Sequence, residues 1–484
     1  MIRSILTATF ILTLLTNSIA QLGIMKHPPL ELVGKIDGIN LYARAFDFIQ
    51  SNALNLYAIE NKEFIKKETI QLPEDYILQL FIYKENFFLF TSHFKTGEYS
   101  ILQLDENMEE INRIKLLDKK EDFSVKDIAI DKVPLSFKYF QKENKIGISI
   151  KRTQNRFIVA DLESMTFSSH ISDLKKDQDY TIEDCLFGKG LDAIFALRTF
   201  KMEALVICKE QNHRNVIIPF TNKKTGDYRR SFKFVTTPET NYLASLYISK
   251  SKKEQGYSLT PIPDFDFTTL ELICFPDSTL NTPTIWTEGQ YKKVQSGSLP
   301  IKNYTFKLVS AEFTNGFILI KTQEWHELGS KNVMISRIDL EKEYPKVSWT
   351  FLSHFITDSY FNYSTKLGNQ NFISFIRDNQ LQVLYNLQIN HITPSGAPNL
   401  KDRELLGEST FQRLNARVVR ATIDLVTGEF TSKTAEPFEG STFKGKLTSP
   451  CYQVEDDELT YLLYEVDYAT KQFSEPTIVS VPLD

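Results

Sequence analysis

An all-β chain folded as a β-propeller is what three features of the sequence predict. The stretch Tyr76 to Leu117 divides into four apolar strands bounded by turn residues, as a meander of antiparallel strands requires. Two turn signals of that stretch recur along the chain in the same relative places, at spacings of roughly 40 to 50 residues, the range of a propeller repeat. One four-stranded sheet cannot bury both of its faces, so copies must stack beside it. With 484 residues, 42% hydrophobic and 24% charged, the chain can build a large core.

In chain order, Met1 to Ala20 carries one positive charge at Arg3, then an apolar run too short to span a bilayer, then Ser18-Ile19-Ala20. That pattern predicts a secretory signal peptide over 1–20, cleaved after Ala20, and hence export. Residues 21–29 form a linker in which Pro28-Pro29 prevents regular structure. Residues 30–484 make the propeller domain, and no later segment is apolar for long enough to be a transmembrane helix.

The first recurring signal is a tight turn feeding the second strand of a unit. It appears before FFLF at Asn86, KIGISI at Asn144, LDAIFAL at Gly190, YLASLYI at Asn241, FILIKT at Asn315-Gly316, FISFI at Asn371 and LTYLLYEV at Glu458. Asn-Gly tolerates the positive φ of a type I′ hairpin. The second signal is an Asp that ends an apolar strand and opens the next turn, at Asp105, Asp161, Asp339 and Asp424. An Asp there accepts a hydrogen bond from the backbone two residues on. Together the signals mark units at 39–74, 76–117, 127–174, 180–220, 230–275, 300–352, 354–435 and 443–484. That is about eight four-stranded blades, with seven as the alternative because two units are stretched by insertions.

The last unit stops where the others place their Asp, so it lacks an outermost strand. Leu30 to Ile36 can supply one, and the N- and C-terminal strands would then close the ring and remove its exposed edges. Cys185 and Cys451 fall on innermost strands, Cys208 on a third strand and Cys274 near an outermost one. First and third strands stand roughly 9 to 10 Å apart, beyond bridging distance, so free and mostly buried thiols are expected.

The repeat resembles the broad class of secreted bacterial β-propeller proteins over nearly the whole mature chain. The resemblance implies the scaffold alone, since no Trp-Asp dipeptide closes the strands and neither a kelch pattern nor a sialidase box is present. Among chemical motifs, Glu324-Trp325-His326-Glu327 is the densest cluster, but His-Glu-Leu-Gly-Ser is not a zinc-binding H-E-x-x-H. It reads as a solvent-facing loop. No phosphate loop, calcium loop or cysteine pair for zinc occurs, so no cofactor or metal is expected. Asn303-Tyr304-Thr305 and Asn362-Tyr363-Ser364 match the glycosylation acceptor pattern.

Charge is distributed unevenly. The net charge of −5 argues against a nucleic-acid binder. Loops between second and third strands nonetheless collect Lys95, Arg152, Arg156, Arg198, Lys253 and other cations, while the opposite turns are acidic. A positive face around a concave mouth favours anionic ligands, and Arg152, Arg156 and Arg198 could each grip a carboxylate or phosphate bidentately. The same face should carry the long insertion over 377–415, a candidate lid, with Arg377, His391 and Arg403. Trp325 and His326 complete the candidate ligand-binding residues. The expected function is a secreted, non-catalytic binding or scaffold propeller that engages an anionic glycan or an exported partner protein through this basic face. The alternative is a glycan-processing hydrolase or lyase on the same ring, which would need two convergent carboxylates roughly 5 to 9.5 Å apart.

Overall fold

The computed structural model describes residues 30–44, 52–60, 63–117, 137–150, 156–171, 180–199, 203–209, 213–216, 228–248, 255–262, 273–276, 305–326, 329–340, 372–388, 416–427, 430–434, 444–455, 457–467, 472–473 and 475–483. The expected signal peptide and linker, Arg152, His391, Arg403 and both glycosylation asparagines lie outside the described residues.

The described strands form eight antiparallel sheets, each from one continuous stretch of chain. The first sheet holds β1 (Leu30–Ile36), β2 (Ile39–Arg44), β3 (Ala53–Glu60) and β4 (Glu63–Gln71), and the second holds β5 (Asp75–Tyr83), β6 (Asn86–His93), β7 (Tyr99–Leu104) and β8 (Glu110–Leu117). The third contains β9 (Phe137–Lys142), β10 (Lys145–Ile150), β11 (Arg156–Asp161) and β12 (Thr166–Ile171), and the fourth β13 (Tyr180–Phe187), β14 (Ala193–Thr199), β15 (Glu203–Cys208) and β16 (His213–Val216). In the fifth are β17 (Tyr228–Thr236), β18 (Asn241–Ile248), β19 (Gln255–Ile262) and β20 (Ile273–Pro276). Three strands make the sixth, β21 (Thr305–Thr314), β22 (Phe317–His326) and β23 (Gly329–Asp339). The seventh is β24 (Phe372–Arg377), β25 (Gln380–Gln388), β26 (Ala416–Asp424) and β27 (Phe430–Thr434). The eighth pairs β28 (Lys444–Glu455) with β29 (Glu458–Asp467), whose other edge takes β30 (Gln472–Phe473) and β31 (Thr477–Pro482) in tandem.

Packing runs from sheet to sheet in chain order. Middle strands are apolar on both faces, and their period of two sends alternate side chains to opposite neighbours. In β14, Phe195 and Leu197 join a buried cluster with the third sheet, while Ile194 and Ala196 join one with the fifth. In β22, Ile318 and Ile320 face the fifth sheet and Phe317 and Leu319 the seventh. Equivalent clusters join the first sheet to the second, the second to the third and the seventh to the eighth. Each buried Leu, Ile or Phe contributes about 1.5–3 kcal/mol, so these interfaces are the main source of stability. The eighth sheet also meets the first. Leu30 N donates to Tyr464 Oη at 2.9 Å, Asn40 Nδ2 to Gln453 Oε1 at 2.8 Å, and Arg44 Nη2 lies 3.1 Å from Glu475.

Two expectations need correction. Leu30–Ile36 does not complete the last sheet; it pairs with β2 in its own sheet, so that sheet begins at residue 30 rather than 39. The cause is local. Asp37 and Gly38 adopt φ of 48° and 79°, a two-residue hairpin geometry that folds β1 directly onto its sequence neighbour. In the seventh sheet, Phe372–Arg377 is the first strand, not the second, and Gln380–Gln388 is the second strand rather than an extra one. Here Asp378 and Asn379, with φ of 48° and 59°, make the hairpin. The segment between second and third strands therefore spans 389–415. Among the described residues no helix is long and apolar enough to cross a membrane.

Candidate functional site

The first strand of a sheet differs from the second in one respect. In most sheets it carries a register shift against its partner, between Leu32 and Gly34, Ile77 and Gln79, Ile182 and Asp184, Arg230 and Phe232, Leu308 and Ser310, and Thr448 and Tyr452. In the first five of these one residue is left out of the ladder and its side chain re-aimed, and in the sixth, three residues are left out. Two of these extra residues reach the first strand of the next sheet. Glu183 Oε2 accepts from Phe232 N at 2.7 Å, and Ser231 Oγ accepts from Leu308 N at 2.8 Å. Ser231 holds φ 61° to do so, a conformation that non-glycine residues adopt rarely.

Around Glu183, cations arrive from four consecutive sheets. Arg198 on β14 places Nε 3.2 Å from Glu183 Oε1. Lys138 on β9 donates from Nζ to Ile182 O at 2.8 Å, and Lys233 on β17 donates to Glu183 O at 2.8 Å. Lys307 on β21 completes the group. Burial above all, with Arg198 and Lys138 beside it, lowers its pKa to about 8 against the opposing pull of Glu183. Lys138 is exposed, while Glu183, Arg198, Lys233 and Lys307 are half-buried, so water reaches the cluster. Lys138, Glu183 and Lys307 sit in the first halves of their strands and Arg198 near the finish of a second strand. These four therefore lie toward the end of the sheets where second strands run into third, the end expected to be basic, while Lys233 sits past the middle of β17.

Asp184, beside Glu183, also reaches β17. Its Oδ2 accepts from Phe234 N at 2.7 Å and its Oδ1 from Cys185 N at 2.9 Å. Burial raises its pKa, against the pull of Lys233 and these two N–H groups. Among the described residues no group of three His, Cys, Asp or Glu could hold a metal. Cys185 and Cys208 are free, as expected from their first- and third-strand positions, and burial pushes both thiols up.

Of the residues singled out in the sequence, the cluster contains Arg198 alone. Arg156 was expected on an exposed loop but opens β11, is 7% exposed, and directs Nη1 to Ser169 Oγ at 3.4 Å. Its backbone pairs with both Ile150 and Ile171, so it stands inside the sheet rather than on a loop. Trp325 and His326 end β22, where Trp325 pairs with Ser330 and His326 with Gly329, so that stretch is strand rather than loop. Arg377 lies at the opposite end of its sheet, at the first hairpin, bonded to Asp457 and 3.3 Å from Asp378. Lys95 is exposed on its loop as expected. Sequence reasoning missed Lys138, Glu183, Lys233 and Lys307. One signal was available, the acidic pair Glu183-Asp184 inside the otherwise apolar strand TIEDCLF.

No protein-family model and no curated protein sequence matches the chain. Among solved structures, it is similar to a prolyl endopeptidase at 8% identity and a TM-score of 0.41, with 91% of this chain and 55% of that one covered. The chain thus spans little more than half of that protein's length. It is also similar to apo AztD from Citrobacter koseri (9% identity, TM-score 0.38, 89% and 95% covered) and to the WD40 domain of SCAP from fission yeast (9%, 0.36, 95% and 92%). At these identities and scores no residue role, ligand or activity is carried over.

Proposed function

We propose that the chain is an exported β-propeller of eight blades that binds rather than catalyses, and that it engages an anionic ligand, such as an acidic glycan or a negatively charged exported partner, at its basic end. The observation that carries this reading is the convergence of Lys138, Arg198, Lys233 and Lys307, from four sheets, around Glu183. A cationic group at a shared mouth attracts anions over distance and holds them at close range. Contacts of the eighth sheet with the first support the ring.

The hydrolase reading loses ground at the same place. Glu183 uses one oxygen for Arg198 and the other for Phe232 N, and both oxygens of Asp184 accept backbone N–H groups. These carboxylates hold the scaffold and are poorly placed to shuttle protons. The test is retention of the mature chain on immobilised heparin and polygalacturonate. Binding at low salt that is lost as salt rises is expected, and Lys138→Glu with Lys307→Glu should weaken it at least fivefold. Failure of wild type to be retained on either matrix at low salt would sink the reading.

A further inference from the structure

We propose that Asn315 is a site of spontaneous covalent change, where the side-chain amide cyclises onto Gly316 N and then hydrolyses, and that Asn379 of the neighbouring sheet holds this reaction back.

Asn315-Gly316 is the one Asn-Gly pair in the sequence. It forms the tip of the hairpin between β21 and β22 with φ of 48° and 82°, the left-handed signs of a type I′ turn. Both residues are exposed. The ladder closes where Thr314 pairs with Phe317, so Gly316 N lies outside it. A Cβ on Gly316 would meet nothing within 4 Å. The nitrogen that follows Asn315 is thus shielded neither by a side chain of its own residue nor by a neighbour.

Base takes the Gly316 amide proton, and the nitrogen attacks Asn315 Cγ. The new N–C bond closes a succinimide ring as the Cγ–Nδ2 bond breaks, and Nδ2 leaves as ammonia with a proton from water. A second water then opens the ring. Addition at Cγ gives aspartate; addition at the main-chain carbonyl gives isoaspartate, in which the chain runs through Cγ. Nothing is oxidised or reduced, and water is the only co-reactant.

The leaving nitrogen is already engaged. Asn315 Nδ2 donates to Asn379 Oδ1 at 2.9 Å, from the sixth sheet to the seventh. Asn379 is itself fixed in a turn, with φ 59° and its carbonyl accepting from Leu425 N at 2.8 Å. A side chain held by its amide to another sheet swings less freely onto its own backbone, so cyclisation follows the opening of this contact. The products differ in their effect. Aspartate keeps the hairpin and can accept from Asn379 Nδ2 once that amide turns over, whereas isoaspartate lengthens the main chain between Thr314 and Phe317 and draws the contact apart. Since the change is one-way, the hairpins of the sixth and seventh sheets separate as the protein ages.

The test is incubation of the folded chain at 37 °C, at pH 6 and at pH 9, with peptide mass spectrometry at intervals and electron-transfer fragmentation to tell isoaspartate from aspartate. Asn315 should convert at least tenfold faster than any other asparagine among the described residues, and faster at pH 9. Asn379→Gly removes the acceptor and suits the positive φ; it should speed conversion at least threefold. Asn379→Asp keeps an acceptor oxygen and should not. In urea, wild type and both variants should convert at one common rate, because the contact between sheets is gone. Conversion of Asn315 no faster than that of other asparagines overturns the site. Equal folded-state rates for wild type and Asn379→Gly, equal acceleration by Asn379→Asp, or a difference that persists in urea overturns the role of Asn379.

Discussion

At Asp161 one carboxylate holds two chain reversals. Its Oδ1 accepts from Glu163 N at 2.9 Å and Ser164 N at 3.1 Å, and its Oδ2 accepts from Asn144 Nδ2 at 2.8 Å, so the turn leaving β11 is tied to the hairpin between β9 and β10. Asp424 makes the same pair of backbone contacts in its own turn, and Asp105 accepts from Asn107 N and Glu109 N. Asp161→Ala should therefore lower stability by about 1–2 kcal/mol, read as a lower urea midpoint with an unchanged slope, since several modest hydrogen bonds go at once. Backbone N–H groups of Thr427 and Val426 also lower the pKa of Asp424. A depressed carboxylate contributes stability above its unfolded pKa and loses it as pH falls through the folded one. Asp424→Asn should thus flatten the acid limb of the melting temperature against pH, and an unchanged limb would show that the turn contributes nothing. Lys307 carries the opposite sign. The unfolded chain binds its proton more tightly, so stability from this group rises with pH between about 8 and the ordinary lysine value of 10.5. Lys307→Met should stabilise the protein at pH 7 by on the order of 1 kcal/mol while weakening anion binding, the expected trade at a strained binding site. These Asp turns were legible in the sequence because the donor and acceptor sit within four residues of each other. Lys307 was not, since its neighbours come from other sheets.

Among the elements, the second strands were the most legible and the first strands the least. KIGISI and LDAIFAL declare themselves by apolar content, because both faces of a middle strand are covered. First strands mix polar residues with apolar ones and shift register part-way, so their pattern slips by one and the side chains beyond the bulge change face. That slip hid Glu183 and Ser231. The seventh unit differs for another reason: its Asp378-Asn379 hairpin carries no glycine, so Asn371 stands out in its place. Element packing can be tested at Gly147 on β10. A Cβ there would stand 2.9 Å from Cys185 Sγ and 3.0 Å from Phe195 Cε1, both in the fourth sheet. Gly147→Ala should cost about 1–3 kcal/mol by overpacking. Adding Cys185→Ala, which removes the sulfur but not the ring, should recover part of that loss in a thermal or urea melt. Equal losses for the single and double variants would mean that the third and fourth sheets do not meet as described.

For the whole molecule, the question is whether eight sheets behave as an open row or as a ring. In a row, each sheet depends on its sequence neighbours, and damage at one end stays there. In a ring, the eighth sheet also supports the first, and the contacts Leu30 N to Tyr464 Oη and Asn40 to Gln453 are the means. Leu384 on β25 is fully buried in the cluster shared by the seventh and eighth sheets. Leu384→Ala should cost about 2–5 kcal/mol and raise the frequency with which the eighth sheet opens. In a ring, each opening strips the cover from β1, so amide exchange should quicken in β1 and β2 as well as in β28 and β29, although among the described residues the first and seventh sheets share no buried cluster. The second, third and fourth sheets should be spared, which separates this response from global unfolding. Quickened exchange confined to the seventh and eighth sheets would identify a row. It would also weaken the binding reading, because a mouth shared by several sheets needs those sheets held around a common axis.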